Sequence, residues 1–223
     1  IATDSGTFYV QTNAEKGGAV KLTPNTYGSA SYSLASRVTE TANHLSNGVT
    51  GTTNVGYNNA DIAGFDVTVG MSPGAVGGSD IAIAVKKADV VDGMTVGVSV
   101  GEIDQADANN ASQEVTLSAS YAMGGMTFGV TKLEITHDKS SSSDIEALHV
   151  GASFAVNDDL SVSVDRSTAD NALKAVDETI TSYQASYTMG SMTIKGHFTS
   201  TDNVAYSSGD GDENKAIAVS FAF

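Results

Sequence analysis

The chain has 223 residues and a formal net charge of -15, from 26 acidic against 11 basic residues. That balance excludes the basic footprint on which nucleic-acid binding depends. The absence of Cys removes disulfide, thiol and zinc-thiolate chemistry together. No run of 18 apolar residues occurs, so no membrane-spanning helix is encoded. A transmembrane barrel is untouched by that argument, because its lipid-facing and water-facing residues alternate and cancel in any average.

The chain opens on IATDSGTFYV without an initiator Met, which points to a processed or truncated start. GTFYVQTNA and AVKLT then predict two N-terminal strands. From about residue 53 onward the pattern is period-two alternation, with little helical periodicity. Val55 and Tyr57 begin it, followed by Phe65, Val67, Val69 and Met71, by Ile81, Ile83 and Val85, and by Met94, Val96, Val98 and Val100. Val115, Leu117, Ala119 and Tyr121 come next, then Met126, Phe128 and Val130, then Leu148, Val150, Ala152 and Phe154. The series ends with Leu160, Val162 and Val164, with Tyr183, Ala185 and Tyr187, with Met192, Ile194 and Phe198, and with Ile217, Val219, Phe221 and Phe223. These make about eleven strands, and about thirteen with the N-terminal pair, all within a single domain spanning residues 1 to 223.

Two kinds of connection alternate. AMGGMT, VNDDL, TMGSMT and DIAGF are short and carry the Gly, Asn and Asp that tight hairpins need. EIDQADANNASQ, THDKSSSSDIE, DRSTADNALKAVDET and STDNVAYSSGDGDEN are long, acidic and rich in Ser and Asn. An internal echo supports hairpin units: ASYAMGGMTFG at 119–129 returns as ASYTMGSMTIKG at 185–196. Tyr121 and Tyr187 stand just before their turns on the apolar phase, where an aromatic girdle would meet a membrane interface.

A β-sandwich also alternates, burying one face of each strand. Its edge strands would need charges or Pro, and its solvent face Lys, Glu and Arg, whereas the second phase here is mainly Gly, Ser, Thr and Ala. The pattern therefore predicts a transmembrane antiparallel barrel, with a soluble sandwich or adhesin-type binding protein as the alternative. Phase assigns the wall: Lys21, Lys86, Lys195 and His197 oppose Leu22, Val85, Ile194 and Phe198 and should point into a lumen, as should Asp66. A Lys on the lipid face at the midplane would cost about 2 to 4 kcal/mol.

Catalysis finds no foothold: HExxH is missing and no nucleophile elbow is read, since GMSPG at 70–74 and GVSVG at 97–101 lie within alternating runs. DGDEN at 210–214 imitates the start of a calcium loop, but Lys215 replaces the required Gly and Phe221 the bidentate Glu. No cofactor is expected. Acidic loops could still hold a divalent cation loosely, with solvated loop charge the simpler account.

Phe221, Ala222 and Phe223, with Ile217 and Val219 on one phase, resemble the C-terminal insertion signal of bacterial outer-membrane proteins. Together with the hairpins and GTFYVQTNAEKGGAVKLTPNTYGSA near the start, the chain is similar to the general diffusion porins of alphaproteobacteria. The resemblance implies a sixteen-stranded homotrimeric barrel in the outer membrane of a Gram-negative bacterium. It would pass ions and small hydrophilic solutes passively through water, without enzymatic activity, in contact with outer-membrane lipid. A count of thirteen then implies about three absent N-terminal strands, or alternatively a smaller complete barrel of twelve. The resemblance also implies that a long loop folds inward and narrows the pore. The matching stretch is PNTYGSASYSLASRVTETANHLSNGVTG, about residues 24 to 52, whose Arg37, Glu40 and His44 become constriction candidates. Cationic wall groups facing a loop acid would set a transverse field, and the carboxylate excess would favour cations. A substrate-specific channel is the alternative within the membrane class.

Overall fold

The computed structural model describes residues 1–3, 5–11, 22–24, 54–75, 78–103, 111–138 and 144–222. Within them lie two short N-terminal strands, β1 (Ala2–Thr3) and β2 (Gly6–Gln11). Eleven long strands follow: β3 (Asn54–Ile62), β4 (Phe65–Ala75), β5 (Gly78–Lys87), β6 (Met94–Ile103), β7 (Ser112–Met123) and β8 (Met126–His137), then β9 (Ile145–Ala155), β10 (Leu160–Asn171), β11 (Glu178–Met189), β12 (Met192–Asp202) and β13 (Gly211–Phe221). All thirteen form one sheet in strict sequence order, and every pairing is antiparallel.

Each strand from β3 onward coincides with one alternating run of the sequence. The second N-terminal stretch, AVKLT, lies mostly outside the described residues; its Leu22 and Thr23 are described and carry no strand, whereas Ala2–Thr3 forms one. The short turns after β3, β7, β9 and β11 gather at one end of the sheet. Gly64, Gly124 and Gly190 adopt left-handed φ of 80°, 60° and 60° there, which side chains with a Cβ resist.

Burial is inverted relative to a water-soluble sheet. On β7 the polar residues Ser112, Glu114, Thr116 and Ser118 are buried, while Val115, Leu117, Tyr121 and Met123 are exposed. Thr116 is 1% exposed and its neighbour Leu117 is 54% exposed. The same holds for Ser163 and Asp165 against Val162 and Val164, and for Ser182 and Gln184 against Tyr183 and Tyr187. A sandwich needs two sheets with apolar faces packed together. Here one sheet shelters its polar face and presents its apolar face outward, an apolar surface far larger than soluble monomers expose.

The outward band has consistent limits. Val115, Leu117, Ala119, Tyr121 and Met123 run along β7 for about 27 Å, or about 20 Å of membrane depth at a barrel strand's tilt of about 40°. Toward the short turns, Tyr121, Phe128, Phe154, Tyr187 and Phe221 stand exposed beside Met123, Met126 and Met189, forming the aromatic margin expected for Tyr121 and Tyr187. Lys87 also faces outward there, donating to the Gly64 carbonyl at 2.8 Å and lying over the Phe65 ring. Its stem covers apolar surface while the ammonium reaches the turn.

Toward the long loops the outward phase turns charged. Lys132 bridges Glu134 at 2.6 Å and also Glu146, two carboxylates that face each other directly across β8 and β9. Lys215 pairs with Glu213 at 3.0 Å and covers the Phe198 ring. Lys132 therefore relieves the like-charge cross-strand pair of Glu134 and Glu146, which would otherwise destabilise the sheet. Outward charges thus occur, but at the margins of the band.

Val130 faces outward and is paired directly with Ala119 and Val150 in the middle of that band, so Val130→Arg should destabilise the folded protein by about 2 to 4 kcal/mol in a bilayer. Reversible urea unfolding in lipid vesicles measures this. An unchanged midpoint would mean that Val130 does not face lipid.

Candidate functional site

The sheltered polar face is the candidate site. Small residues dominate it because inward side chains converge on a curved sheet, and hydroxyls there can bond to neighbours across strands. Charged groups punctuate this background.

Near the short turns, Asp66 on β4 stands directly opposite Lys86 on β5, and their side chains pair at 3.1 Å. Asn58 on β3 donates to the same carboxylate at 3.2 Å and to the Thr68 hydroxyl at 2.7 Å. With side chains 32% and 42% exposed, Asp66 and Lys86 keep access to water. Both occupy the inward phase assigned from the sequence.

Half-way along β9 to β12 lies a drier network. Asp165 is 2% exposed; Gln184 donates to it at 2.9 Å and the His149 Nε2 lies 3.3 Å away. Gln184 and Thr199 also reach the Ser182 hydroxyl, each at 3.2 Å. Alongside, His197 places its Nε2 2.8 Å from the Asn214 side-chain oxygen, and Lys195 shares its inward phase. Glu114 and Asp80 are buried on the same face of β7 and β5. The sequence held the signal for these groups: Glu114, His149 and Asp165 each stand beside outward Val or Leu residues, as Lys86 does.

The end of the sheet near the long loops differs. Leu133, Ile135, Ile145, Ala147 and Ala169 form an apolar cluster on the inward phase, capped by Tyr206. Tyr206 belongs to a single helical turn, Val204–Tyr206, between β12 and β13, in which Asn203, Ala205 and Tyr206 all have left-handed φ of 53° to 60°. The Ala205 amide donates to the Glu178 carboxylate at 2.6 Å, and the Asn203 side chain donates to the Asp177 carbonyl at 2.9 Å. These bonds and the buried ring hold a backbone that non-glycine residues seldom adopt.

A further segment runs over the inward face. Leu22–Pro24 lies against Gly129 and Gly151, which are paired directly across β8 and β9, and the Thr23 and Thr131 hydroxyls meet at 3.3 Å. Lys21, Arg37, Glu40, His44 and Phe223 lie outside the described residues. Phe221 faces outward and is exposed. Lys21 was assigned inward as part of a strand, and Leu22 and Thr23 beside it are not in one. Among the described residues no group of three His, Asp or Glu is placed to hold a metal ion.

No curated protein sequence matches the chain. Among solved structures, similarity is to an anion-selective porin from Comamonas acidovorans, with 15% identity and a TM-score of 0.66 over 80% of this chain and 62% of that one. Another porin structure matches with 15% identity and a TM-score of 0.69 over 99% of this chain and 79% of that one. An outer-membrane OmpT of Vibrio cholerae matches with 14% identity and a TM-score of 0.61 over 90% of this chain and 67% of that one. The chain thus spans 62% of the length of the Comamonas porin. These likenesses give the fold. The sequence model of the Gram-negative porin family matches residues 2–223, which is nearly the whole chain. The chain belongs to the Gram-negative porin family and so to the outer membrane.

Proposed function

We propose that this protein contributes the wall of a water-filled channel through which ions and small hydrophilic solutes diffuse passively across the outer membrane. The observation that carries this reading is the inversion of the sheet, with hydroxyls, amides and carboxylates inside and aliphatic and aromatic side chains outside. Such a wall offers a permeating ion polar contacts along the inward face outside the apolar cluster under Tyr206. The family resemblance supports a homotrimer, a complete barrel of sixteen strands and a C-terminal insertion signal at Phe221 and Phe223.

Mild cation selectivity is part of the proposal. Asp66, Asp80, Glu114, Asp165 and Glu178 all stand on the inward phase, with Lys86 and Lys195 as the inward lysines among the described residues. Carboxylates sheltered from electrolyte keep more of their field than surface charges do, and cations are concentrated where that field reaches the water. The relative from Comamonas is described as anion-selective. Selectivity here follows from this chain's own acids rather than from that likeness.

Planar-bilayer recording tests the channel: stepwise conductance is expected, and a salt gradient should give a zero-current potential of the sign for cation preference. Lys86→Glu should enlarge that potential, since it replaces the cation paired with Asp66. No conductance, or anion preference in the parent protein, would overturn the corresponding part of the proposal. Within the drier network, Asp165→Leu removes the acceptor shared by Gln184 and His149, and should cost about 1 to 3 kcal/mol of stability. Denaturant unfolding in detergent micelles checks it, with Asp165→Asn expected to lose less.

A further inference from the structure

Gly129 and Gly151 interrupt strands that otherwise carry a side chain at nearly every inward place. A glycine inside a strand costs roughly 0.5 to 1 kcal/mol relative to Ala, and one in a strand interior often marks a close approach of another backbone. Here two of them are opposite each other in register, so the bare patch is two strands wide. Leu22–Pro24 fills it. A Cβ built on Gly129 would collide with the Leu22 carbonyl oxygen and lie 2.7 Å from the Thr23 Cα and 2.8 Å from the Pro24 Cδ. Two of those three atoms are backbone and cannot rotate away. A Cβ on Gly151 would meet the Thr23 Cγ2 at 2.7 Å and the Asp165 Cβ at 3.0 Å. The Thr23–Thr131 hydroxyl contact at 3.3 Å fixes the segment beside the bare patch.

We infer that Gly129 and Gly151 form a seat that holds Leu22–Pro24 against the inner wall, and that they are positioning residues setting the free cross-section of the channel. The inference rests on the channel reading for its functional half and on geometry alone for its structural half. The two glycines differ in a testable way. At Gly129 the obstacle is backbone, whereas at Gly151 the nearest obstacle on the seated segment is the Thr23 methyl group. Thr23→Ser removes that methyl and keeps the hydroxyl that meets Thr131.

The full chain, refolded and inserted in lipid, serves for the test. Because the protein has no Cys, Thr23→Cys with Thr131→Cys introduces the only thiols. Mild oxidation should join them in the parent background, as peptide mass spectrometry reads, and the cross-link should be lost when Gly129→Val is added. Single-channel conductance should fall in Gly129→Ala and in Gly151→Ala, because the added Cβ pushes the segment off the wall and into the lumen. Thr23→Ser should return the second toward the parent value and leave the first lowered. Heat-dependent gel mobility confirms that each variant is folded, and Gly129→Ala replaces Gly129→Val in the cross-linking arm if the latter is not. Failure of the parent pair to cross-link in folded protein overturns the seat. So does conductance that is equal in the parent, Gly129→Ala and Gly151→Ala. A parent that cross-links but never conducts leaves the seat standing and overturns the channel reading instead.

Discussion

Everything in this structure depends on the cost of an unpaired backbone amide or carbonyl in hydrocarbon, several kcal/mol for each group. A strand can cross a membrane only if both of its edges are paired along their length. The sequence-order antiparallel ladder from β1 to β13 meets that demand for the strands between its ends. Once the backbone is paired internally, side chains alone face the surroundings, and the two-residue period of the strand divides them between an outward and a sheltered face. The inversion of burial follows. Leu117 and Thr116 are neighbours in sequence and opposite in environment because nothing but the pleat separates them.

The polar face then has its own problem, because charges sheltered from water must find partners. The wall solves it in two ways. Asp66 and Lys86 neutralise each other across β4 and β5 while staying in reach of water. Asp165 is dry, and Gln184 and His149 satisfy it from the neighbouring strands. The first arrangement leaves both charges within reach of water. The second ties β9, β10 and β11 together, beside the place where Leu22–Pro24 crosses the wall.

Much of this was legible in the residues, since period and phase are local properties. The eleven strands from β3 onward follow the alternating runs, and Asp66, Lys86, Lys195 and His197 fall on the inward face as phase requires. Leu22 and Thr23 misled because an apolar residue beside a Lys reads as strand, whether it is destined for lipid or for a notch of glycines on the inner wall. That notch joins residues about a hundred positions apart in the chain, which no window along the sequence can display. The inward cluster of Leu133, Ile135 and Ile145 was hidden for a related reason. Apolar side chains on the polar phase look like noise until Tyr206 from the β12–β13 connection is seen to cover them. Glu114, His149 and Asp165 were within reach of the phase rule that found Lys86.

The most direct test of the inverted wall uses the absence of Trp from the chain. A single Trp placed at Leu117 and, in a second protein, at Ser120 would report the two faces of β7 separately in vesicles. The account predicts that brominated lipid quenches Trp at position 117 and that aqueous acrylamide quenches Trp at position 120. Equal quenching of both by acrylamide, or the opposite assignment, would contradict it.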